Sequence, residues 1–306
     1  MIYAKGLNKS YGPHHVLKDL SMHVEKGEIY GFIGKNGAGK STAMNLFAGL
    51  AEFQSGECLI AGKATSMHSR KSGKVGYLPE NPGFYQYMTG LEYLLFIDSM
   101  FKRKNSAAQT NAAELLETVK LSDDAYRRIG GYSRGMRQRL GLASVLVGDP
   151  ELLILDEPSS ALDPEGRNDM VNIIKDLNRQ GKTILISSHI LDDIEKICNR
   201  IGILHGGHIH LETDLTDLDD KYLPPSYQAV FEKDPSPENI ATLKREPWMA
   251  NMETENGHFI FHLKQTDESK LLMLKKLGEM NLAVQSLFRK KSTLEDFFLR
   301  MVNKNE

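Results

Sequence analysis

Short apolar runs alternate with longer, helix-like segments through about the first two hundred residues of the chain. The clearest runs cover residues 27–34, 152–155 and 183–187. Continuous apolar runs of this length are typical of strands that are buried on both faces of a parallel sheet. The pattern therefore predicts an α/β domain that is built on a largely parallel sheet.

A more helical stretch separates the first apolar run from the second. Residues 91–146 are rich in Leu, Ala and charged side chains, a composition that indicates helices. We interpret residues 85–147, to within a few positions, as a helical subdomain inserted into the α/β domain. Such a lobe is a natural place for a surface that contacts a partner.

The character of the sequence changes after about residue 211. Acidic residues cluster up to Asp220, and prolines then interrupt any long helix between residues 224 and 237. We therefore divide the chain into a first domain of residues 1–215 and a smaller domain of residues 216–306.

The apolar pattern of the smaller domain indicates a second sheet. Strands are predicted at residues 227–231, 248–253, 258–263 and 282–288, with helices after 237, at 268–280 and from 293. The order β-α-β-β-α-β plus a final helix corresponds to a ferredoxin-like α+β arrangement. Ser292-Thr293-Leu294-Glu295 has the spacing of a capping box at the start of the last helix.

Composition limits the possible partners and compartments. The 306 residues carry a net charge of −2, so we expect no nucleic-acid partner and interpret the basic runs at 102–104 and 289–291 as solvated surface. Cys58 and Cys198 lack metal-ligand spacing, which favours a reducing compartment. No apolar stretch reaches the roughly eighteen residues that cross a bilayer, so we expect a cytoplasmic protein whose membrane role is peripheral.

A glycine-rich motif follows the first apolar run and precedes a helical segment. It reads Gly34, Lys35, Asn36, Gly37, Ala38, Gly39, Lys40, Ser41 and Thr42, which matches G-x-x-x-x-G-K-[ST]. In this context it predicts a phosphate-binding loop of the P-loop NTPase type rather than a plain turn. Backbone N–H groups would surround the phosphates, Lys40 would reach the β- and γ-phosphates, and Thr42 would lie on the α-phosphate side. The Ser41 hydroxyl is the predicted Mg²⁺ ligand.

Two carboxylates, Asp156 and Glu157, follow the second apolar run. An Asp-Glu pair after a strand is by itself usually a solvated turn. Because the carboxyl ends of parallel strands share one edge of a sheet, this pair is expected beside the phosphate loop. Neighbouring strand residues point in different directions, so Asp156 can support Mg²⁺ while Glu157 polarises the attacking water.

Further motifs make the first domain resemble the ABC-type ATPases. The segment Tyr132-Ser133-Arg134-Gly135-Met136-Arg137-Gln138 is similar to the Leu-Ser-Gly-Gly-Gln signature of that family. Ser160-Ala161-Leu162-Asp163 resembles the D-loop, and His189 resembles the switch histidine. Tyr11 resembles the adenine-stacking aromatic, although a lone tyrosine is more often a packing or surface residue. The resemblance extends from the N-terminus to about residue 211.

The resemblance implies a homodimer in which each ATP lies between the phosphate loop of one copy and the signature segment of the other. Ser133 and the Gly135 N–H would bind the γ-phosphate across this interface. His189 would contact the same phosphate, and Asp163 would couple the two sites. ATP would close the dimer and hydrolysis would release it.

Glu80 departs from the family, which has glutamine at the corresponding position of its lid loop. An extra carboxylate beside Mg²⁺ and phosphate changes ligation or proton handling. We therefore expect Glu80 to lie at the nucleotide site and to couple it to a partner. Arg134 and Met136 replace a glycine and the glutamine of the signature, and activity is expected to survive these changes.

Within the family, the chain looks like a stand-alone ATPase subunit of an export-type transporter whose integral-membrane permease is a separate polypeptide. The alternative is a soluble ABC-type ATPase that acts on nucleic acid or the translation machinery, but no coiled-coil insertion, zinc-binding cysteine cluster or tandem cassette is visible. A metabolic kinase would leave the signature, the D-loop and the switch histidine unexplained. The smaller domain is expected to stabilise the dimer, bind the partner or regulate turnover, although packing alone would also explain its apolar pattern. His205, His208 and His210 favour a hairpin turn over a metal site.

Overall fold

The computed structural model describes two compact units, Met1–Leu215 and Thr216–Glu306, each with its own hydrophobic core. The described residues are 1–65, 74–101, 105–160, 162–218, 225–255, 257–264, 268–290 and 293–303. The basic run at 102–104, Ala161 of the D-loop motif and Ser292 of the capping-box motif lie outside them. None of the described helices is long and apolar enough to cross a membrane.

A mainly parallel sheet forms the centre of the first unit. Among the described residues its strands are β3 (Ile29–Ile33), β6 (Val75–Leu78), β7 (Leu152–Asp156), β8 (Thr183–Ser187), β9 (Arg200–His205) and β10 (His208–Asp214), in the order β10-β9-β3-β8-β7-β6. All pairings are parallel except that of β9 with β10, which form an antiparallel hairpin. Every residue of β3, β7 and β8 is buried, so the predicted parallel sheet is confirmed.

Helices follow the strands of this sheet. They are α1 (Lys40–Phe47), α2 (Gly90–Ser99), α3 (Asn105–Thr118), α4 (Arg134–Leu146), α5 (Pro164–Arg179) and α6 (Leu191–Ile197). Helices α2, α3 and α4 pack against one another and make up the helical subdomain. The carboxyl ends of β3, β7 and β8 therefore lead into α1, α5 and α6, the arrangement in which helix N-termini and strand ends meet at one edge.

An antiparallel sheet in the first unit was not predicted from the sequence. It contains β1 (Ile2–Tyr11), β2 (His14–Val24), β4 (Ser55–Ile60) and β5 (Lys63–Ala64), in the order β2-β1-β4-β5. Its register shifts at several points between β1 and β2, and such bulges break the alternation of apolar and polar residues by which half-buried strands are recognised. Leu7 and Leu17 pack with Phe32 and Phe47 in the core that this sheet shares with β3 and α1.

The second unit is an antiparallel four-stranded sheet with helices. Its elements are β11 (Ser226–Phe231), α7 (Pro237–Lys244), β12 (Met249–Glu255), β13 (His258–Leu263), α8 (Ser269–Glu279), β14 (Val284–Lys290) and α9 (Leu294–Asn303). The strand order β12-β13-β11-β14, with antiparallel neighbours throughout, confirms the predicted ferredoxin-like arrangement.

The cap of the last helix, α9, differs from the prediction by one residue. Thr293 and Asp296 bond reciprocally: the Thr293 N–H donates to Asp296 Oδ2 at 3.0 Å, and the Asp296 N–H donates to Thr293 Oγ1 at 3.1 Å. The shorter aspartate reaches back from the third helical position. Glu295 is thus not the partner that the motif indicated.

Candidate functional site

The phosphate loop connects β3 to α1, and two of its glycines are required by close contacts. A Cβ on Gly34 would lie 2.5 Å from the Leu204 carbonyl oxygen. Gly39 has φ +110°, and a Cβ there would lie 2.8 Å from Leu17 Cδ2. A side chain at either position would displace these neighbours. Because both residues are glycine, the backbone can close into a cradle directly before the N-terminus of α1.

Lys40 extends back over this loop. The side chain is only 7% exposed, and its Nζ donates to the Gly34 carbonyl at 2.7 Å. The same Nζ lies 3.9 Å from Glu157 Oε1. A buried ammonium group held over a ring of backbone N–H groups favours anionic ligands such as phosphates.

Asp156 ends β7 and is almost fully buried. Its Oδ1 accepts a hydrogen bond of 2.6 Å from Ser187 Oγ, and Ser187 Oγ in turn accepts from the Glu157 N–H at 3.0 Å. One hydroxyl therefore fixes both acidic positions. Sequence reasoning did not assign this role to Ser187; the signal is the parallel register that pairs Asp156 with Ser187 on neighbouring strands.

Glu157 lies just beyond the strand with φ +51°. Its Oε2 is 2.7 Å from His189 Nδ1 and accepts from the His189 backbone N–H at 3.2 Å. With Lys40 on the other oxygen, the carboxylate is held from two sides. The backbone turn and these partners direct Glu157 away from the buried Asp156 and into the cleft.

Electrostatic effects of the acidic edge reach Tyr77 on β6. Burial and the negative charge of Asp156 raise the pKa of Tyr77 to about 12. Ionisation of this phenol is therefore disfavoured even further than in a free tyrosine, because it would add a second negative charge near Asp156.

A cleft of about 380 Å³ lies over the phosphate loop. It is lined by Val16 and by predicted site residues, namely Asn36, Gly37, Gly39, Lys40, Ser41, Thr42, Glu80, Glu157 and His189. Loop residues Gly34, Lys35 and Ala38 belong to the same segment. Val16 was not predicted, because an isolated valine in a strand carries no motif.

Five predicted site residues outside the loop do not line this cleft in the single chain. One is Asp156, which is buried. Tyr11 is 49% exposed on the hairpin of β1 and β2, with Lys9 Nζ 4.7 Å from its ring centre. Ser133 is the N-cap of α4 and accepts from the Met136 N–H at 3.2 Å. Asp163 is the N-cap of α5 and accepts from the Gly166 N–H at 2.8 Å. The exposed N-terminus of α4, with Gly135 in its first turn, is available to an anion from outside the chain.

The signature and D-loop segments lie beside each other. A Cβ on Gly135 would lie 3.4 Å from Leu162 Cδ2. Ser133, Gly135 and Asp163 thus belong to a second surface of the same unit, in which two helix N-termini, those of α4 and α5, are neighbours.

The residues of the cleft, together with the buried Asp156 next to Glu157, suit a nucleotide with a divalent cation. The glycines leave a cradle that side chains would fill, and Lys40 and the first turn of α1 supply positive potential. The Ser41 hydroxyl and the Asp156 carboxylate are the hard oxygen donors that Mg²⁺ prefers. The donor set therefore fits Mg²⁺ chelated by phosphates.

Comparison with known proteins agrees with this geometry. The family model described as ABC transporter matches residues 17–160. The chain is 34% identical over 304 residues to the uncharacterized ABC transporter ATP-binding protein YxlF of Bacillus subtilis (strain 168), covering 99% of this chain and 100% of that protein. It is 39% identical over 221 residues to the bacitracin transport ATP-binding protein BcrA of Enterococcus faecalis, covering 71% of this chain and 70% of that protein.

A solved structure has the same fold as the first unit. The dimeric, post-hydrolysis ATP-binding cassette MJ0796, bound to ADP and Pi, matches with a TM-score of 0.65 at 25% identity. The match covers 70% of this chain and 99% of that one.

Proposed function

This chain belongs to the ABC transporter ATP-binding proteins, and from that membership we propose that it hydrolyses ATP in the cleft over its phosphate loop as one half of a homodimer that drives a separate permease. The observation that carries the proposal is the cleft itself. It joins a buried lysine, a helix N-terminus and an oriented glutamate at one edge of a parallel sheet.

The phosphate loop and Lys40 bind the phosphates, and Thr42 lies on the α-phosphate side. Ser41 and Asp156 would hold Mg²⁺, which supplies charge neutralisation on the phosphate oxygens when bound. Ser187 keeps Asp156 in place through its 2.6 Å hydrogen bond. The chain's own groups thus orient the nucleotide before any bond is broken.

Glu157 accepts the proton of the attacking water. Its carboxylate is already oriented by His189 at 2.7 Å and by Lys40 at 3.9 Å. When phosphates occupy the cleft, Lys40 turns its charge toward them, which leaves Glu157 available to the water. His189, on the same side of the cleft, is placed to contact the γ-phosphate. Glu80 lines the entrance and connects the site to the helical subdomain.

The second copy completes the site. Ser133, Gly135 and Asp163 lie outside the cleft of their own chain, so their predicted contacts with ATP require another molecule. The N-terminus of α4 would present its N–H groups to the γ-phosphate. Tyr11, exposed at the end of β1, would stack on the adenine.

A separate permease would contact the helical subdomain from the cytoplasmic face of the membrane. Tyr85, Tyr87 and Tyr126 are 48%, 68% and 79% exposed. The ring of Tyr85 meets that of Phe96 edge-on and that of Tyr87 at a tilt of 44°. Exposed aromatic clusters of this kind favour protein partners. The segment that carries Tyr85 and Tyr87 leads from Glu80 into α2. A movement at the nucleotide site would therefore be passed on to this surface.

Glu157→Gln tests the proposal. We expect hydrolysis to fall by at least about 100-fold, because a general base contributes two to four orders of magnitude, while ATP binding persists. Sedimentation velocity with ATP is expected to show a lasting dimer for this variant and a transient one for the natural chain.

Glu151→Gln is the matched control. Glu151 lies just before the other end of β7 and forms an exposed ion pair with Lys74, so its loss is expected to leave hydrolysis unchanged. Full hydrolysis by Glu157→Gln, or ATP binding without any dimer, would contradict the proposal.

A further inference from the structure

A second cleft, of about 370 Å³, lies on the outer side of the phosphate loop. We call it the cationic cleft. The residues that matter for its chemistry are His15, Lys18, Lys35, His205, Gly206 and Gly207. They come from three places in the fold: strand β2, the phosphate loop and the turn between β9 and β10.

The charge of the cationic cleft is opposite to that of the whole chain. Two lysines and two histidines line it, and none of the described residues that line it is acidic, although the chain has a net charge of −2. Concentrated positive charge in a concave surface attracts anions. A divalent metal, which the histidines alone would suit, is disfavoured by the two ammonium groups.

The turn that carries His205 is fixed to the strand that carries Lys18. The Lys18 N–H donates to the Gly207 carbonyl at 2.9 Å. Gly207 has φ +90°, and a Cβ there would lie 2.6 Å from the Val16 carbonyl oxygen, so no other residue allows this approach. His15 is oriented by a 3.1 Å hydrogen bond between its Nε2 and Asn8 Oδ1. Backbone contacts therefore set the spacing of the cationic groups before any ligand arrives.

The cationic cleft is distinct from the nucleotide cleft. The two share Val16, Asn36 and Gly37, but Lys40, Ser41 and Thr42 line only the nucleotide side and Lys18 and His205 only the other. We propose that the cationic cleft binds a phosphate-class anion in addition to the phosphates of the nucleotide. Its source is either free inorganic phosphate or the phosphate headgroup of an anionic lipid.

Such an anion would contact Lys35, which belongs to the phosphate loop itself. Occupancy of the cationic cleft and of the nucleotide cleft would then be coupled through one short segment, residues 35–37. The inference rests on the proposed function only in so far as the nucleotide cleft must be filled during the test.

The test is calorimetric titration of inorganic phosphate into the full chain, first alone and then saturated with Mg²⁺ and ADP. The ADP titration is recorded separately, so a chain that fails to bind ADP contradicts the proposed function and not this inference. We expect one phosphate site to remain in the ADP-loaded chain. Lys18→Gln and His205→Gln are each expected to weaken it at least about fivefold, because each removes a hydrogen-bond donor to a charged group, with ADP affinity unchanged.

Lys5→Gln is the matched control, since Lys5 is an exposed lysine of β1 in the same antiparallel sheet and does not line the cleft. A parallel assay measures co-sedimentation with vesicles of phosphatidylglycerol or of phosphatidylcholine alone. Binding to phosphatidylglycerol that Lys18→Gln removes identifies a lipid phosphate as the source, and phosphate binding without vesicle binding identifies free phosphate. Absence of both in the ADP-loaded chain overturns the inference, and so does an equal loss of ADP affinity in Lys18→Gln, which would assign the cleft to the nucleotide.

Discussion

The two units of the chain both contain a central sheet, yet among the described residues only the first unit collects reactive groups at an edge. In the first unit, β3, β7 and β8 run in the same direction, so their carboxyl ends place the phosphate loop, Asp156 and Ser187 side by side. In the second unit neighbouring strands are antiparallel, and each edge receives strand starts and strand ends in turn. Strand direction, more than the number of polar residues, decides where chemistry can accumulate.

Buried polar groups show the same difference. In the second unit, Ser226 Oγ and His262 Nδ1 lie 2.7 Å apart on paired strands, and His262 Nε2 is 3.5 Å from Glu253 Oε1. Ser226 and His262 therefore contact each other across paired strands and line neither the nucleotide cleft nor the cationic cleft. In the first unit, the carboxylate of Glu157 is directed into a cleft. We therefore expect disruption of the first edge to abolish activity and disruption of the second sheet to affect stability alone.

Lys40→Met has the largest expected effect among the changes that test this difference between the two units. Removal of the ammonium group that faces the phosphates should lower hydrolysis by about 100- to 1,000-fold, the range seen when a donor to developing charge is lost. A coupled phosphate-release assay measures the rate. Lys63→Met, an exposed lysine on β5, serves as the control and is expected to behave like the natural chain. Equal losses of hydrolysis in both variants would show that the lysine at the sheet edge has no special role.

Phe261→Ala tests the other half of the comparison. Phe261 is fully buried in the core of the second unit, and its truncation should cost about 3–5 kcal/mol of that unit's stability, seen as an earlier transition in urea. Hydrolysis is expected to stay within about twofold of normal. If the alanine variant does not fold, Phe261→Leu, which should lose less stability, is measured in its place. A large drop in hydrolysis by the stably folded leucine variant would contradict the division of roles.

Ser187→Ala tests whether Ser187 positions Asp156 at this edge of the sheet. Loss of a hydrogen bond to a buried carboxylate costs about 1.5–3 kcal/mol, so we expect about a tenfold slower hydrolysis and a higher Mg²⁺ concentration for half-maximal rate. Ser187→Thr retains the hydroxyl and should restore most of both values. If the alanine variant loses stability while its Mg²⁺ dependence is unchanged, Ser187 supports the fold and does not position Asp156.

The smallest expected effect is that of Tyr11→Ala, which tests whether a residue outside the parallel sheet contributes to ATP binding. An aromatic stacking contact is worth about 0.5–1.5 kcal/mol beyond its area, so ATP affinity should fall severalfold. Tyr11→Phe, which keeps the ring, should bind normally. Equilibrium binding of a fluorescent ATP analogue measures both, and a phenylalanine variant as weak as the alanine one would exclude stacking.

Sequence reasoning located elements where the relevant information is local. The phosphate loop and the Asp156-Glu157 pair are contiguous motifs next to short apolar strands. In the second unit, short apolar runs that are separated by helical stretches give the order of its elements. The sheet of β1, β2, β4 and β5 depends on pairing between distant, bulged segments. Ser187 acquires its role only through the register of β7 with β8. Neither kind of information is contained in a local pattern.

The backbone of Glu157 has a further consequence. With φ +51°, this residue occupies a left-handed conformation that costs a non-glycine residue roughly 1–2 kcal/mol. Glycine would adopt the same geometry without that penalty, but Glu157→Gly would also remove the contacts of the carboxylate with His189 and Lys40. These contacts hold a carboxylate in the cleft against the conformational preference of its own backbone, so the position of the predicted base is set by its neighbours rather than by the local chain.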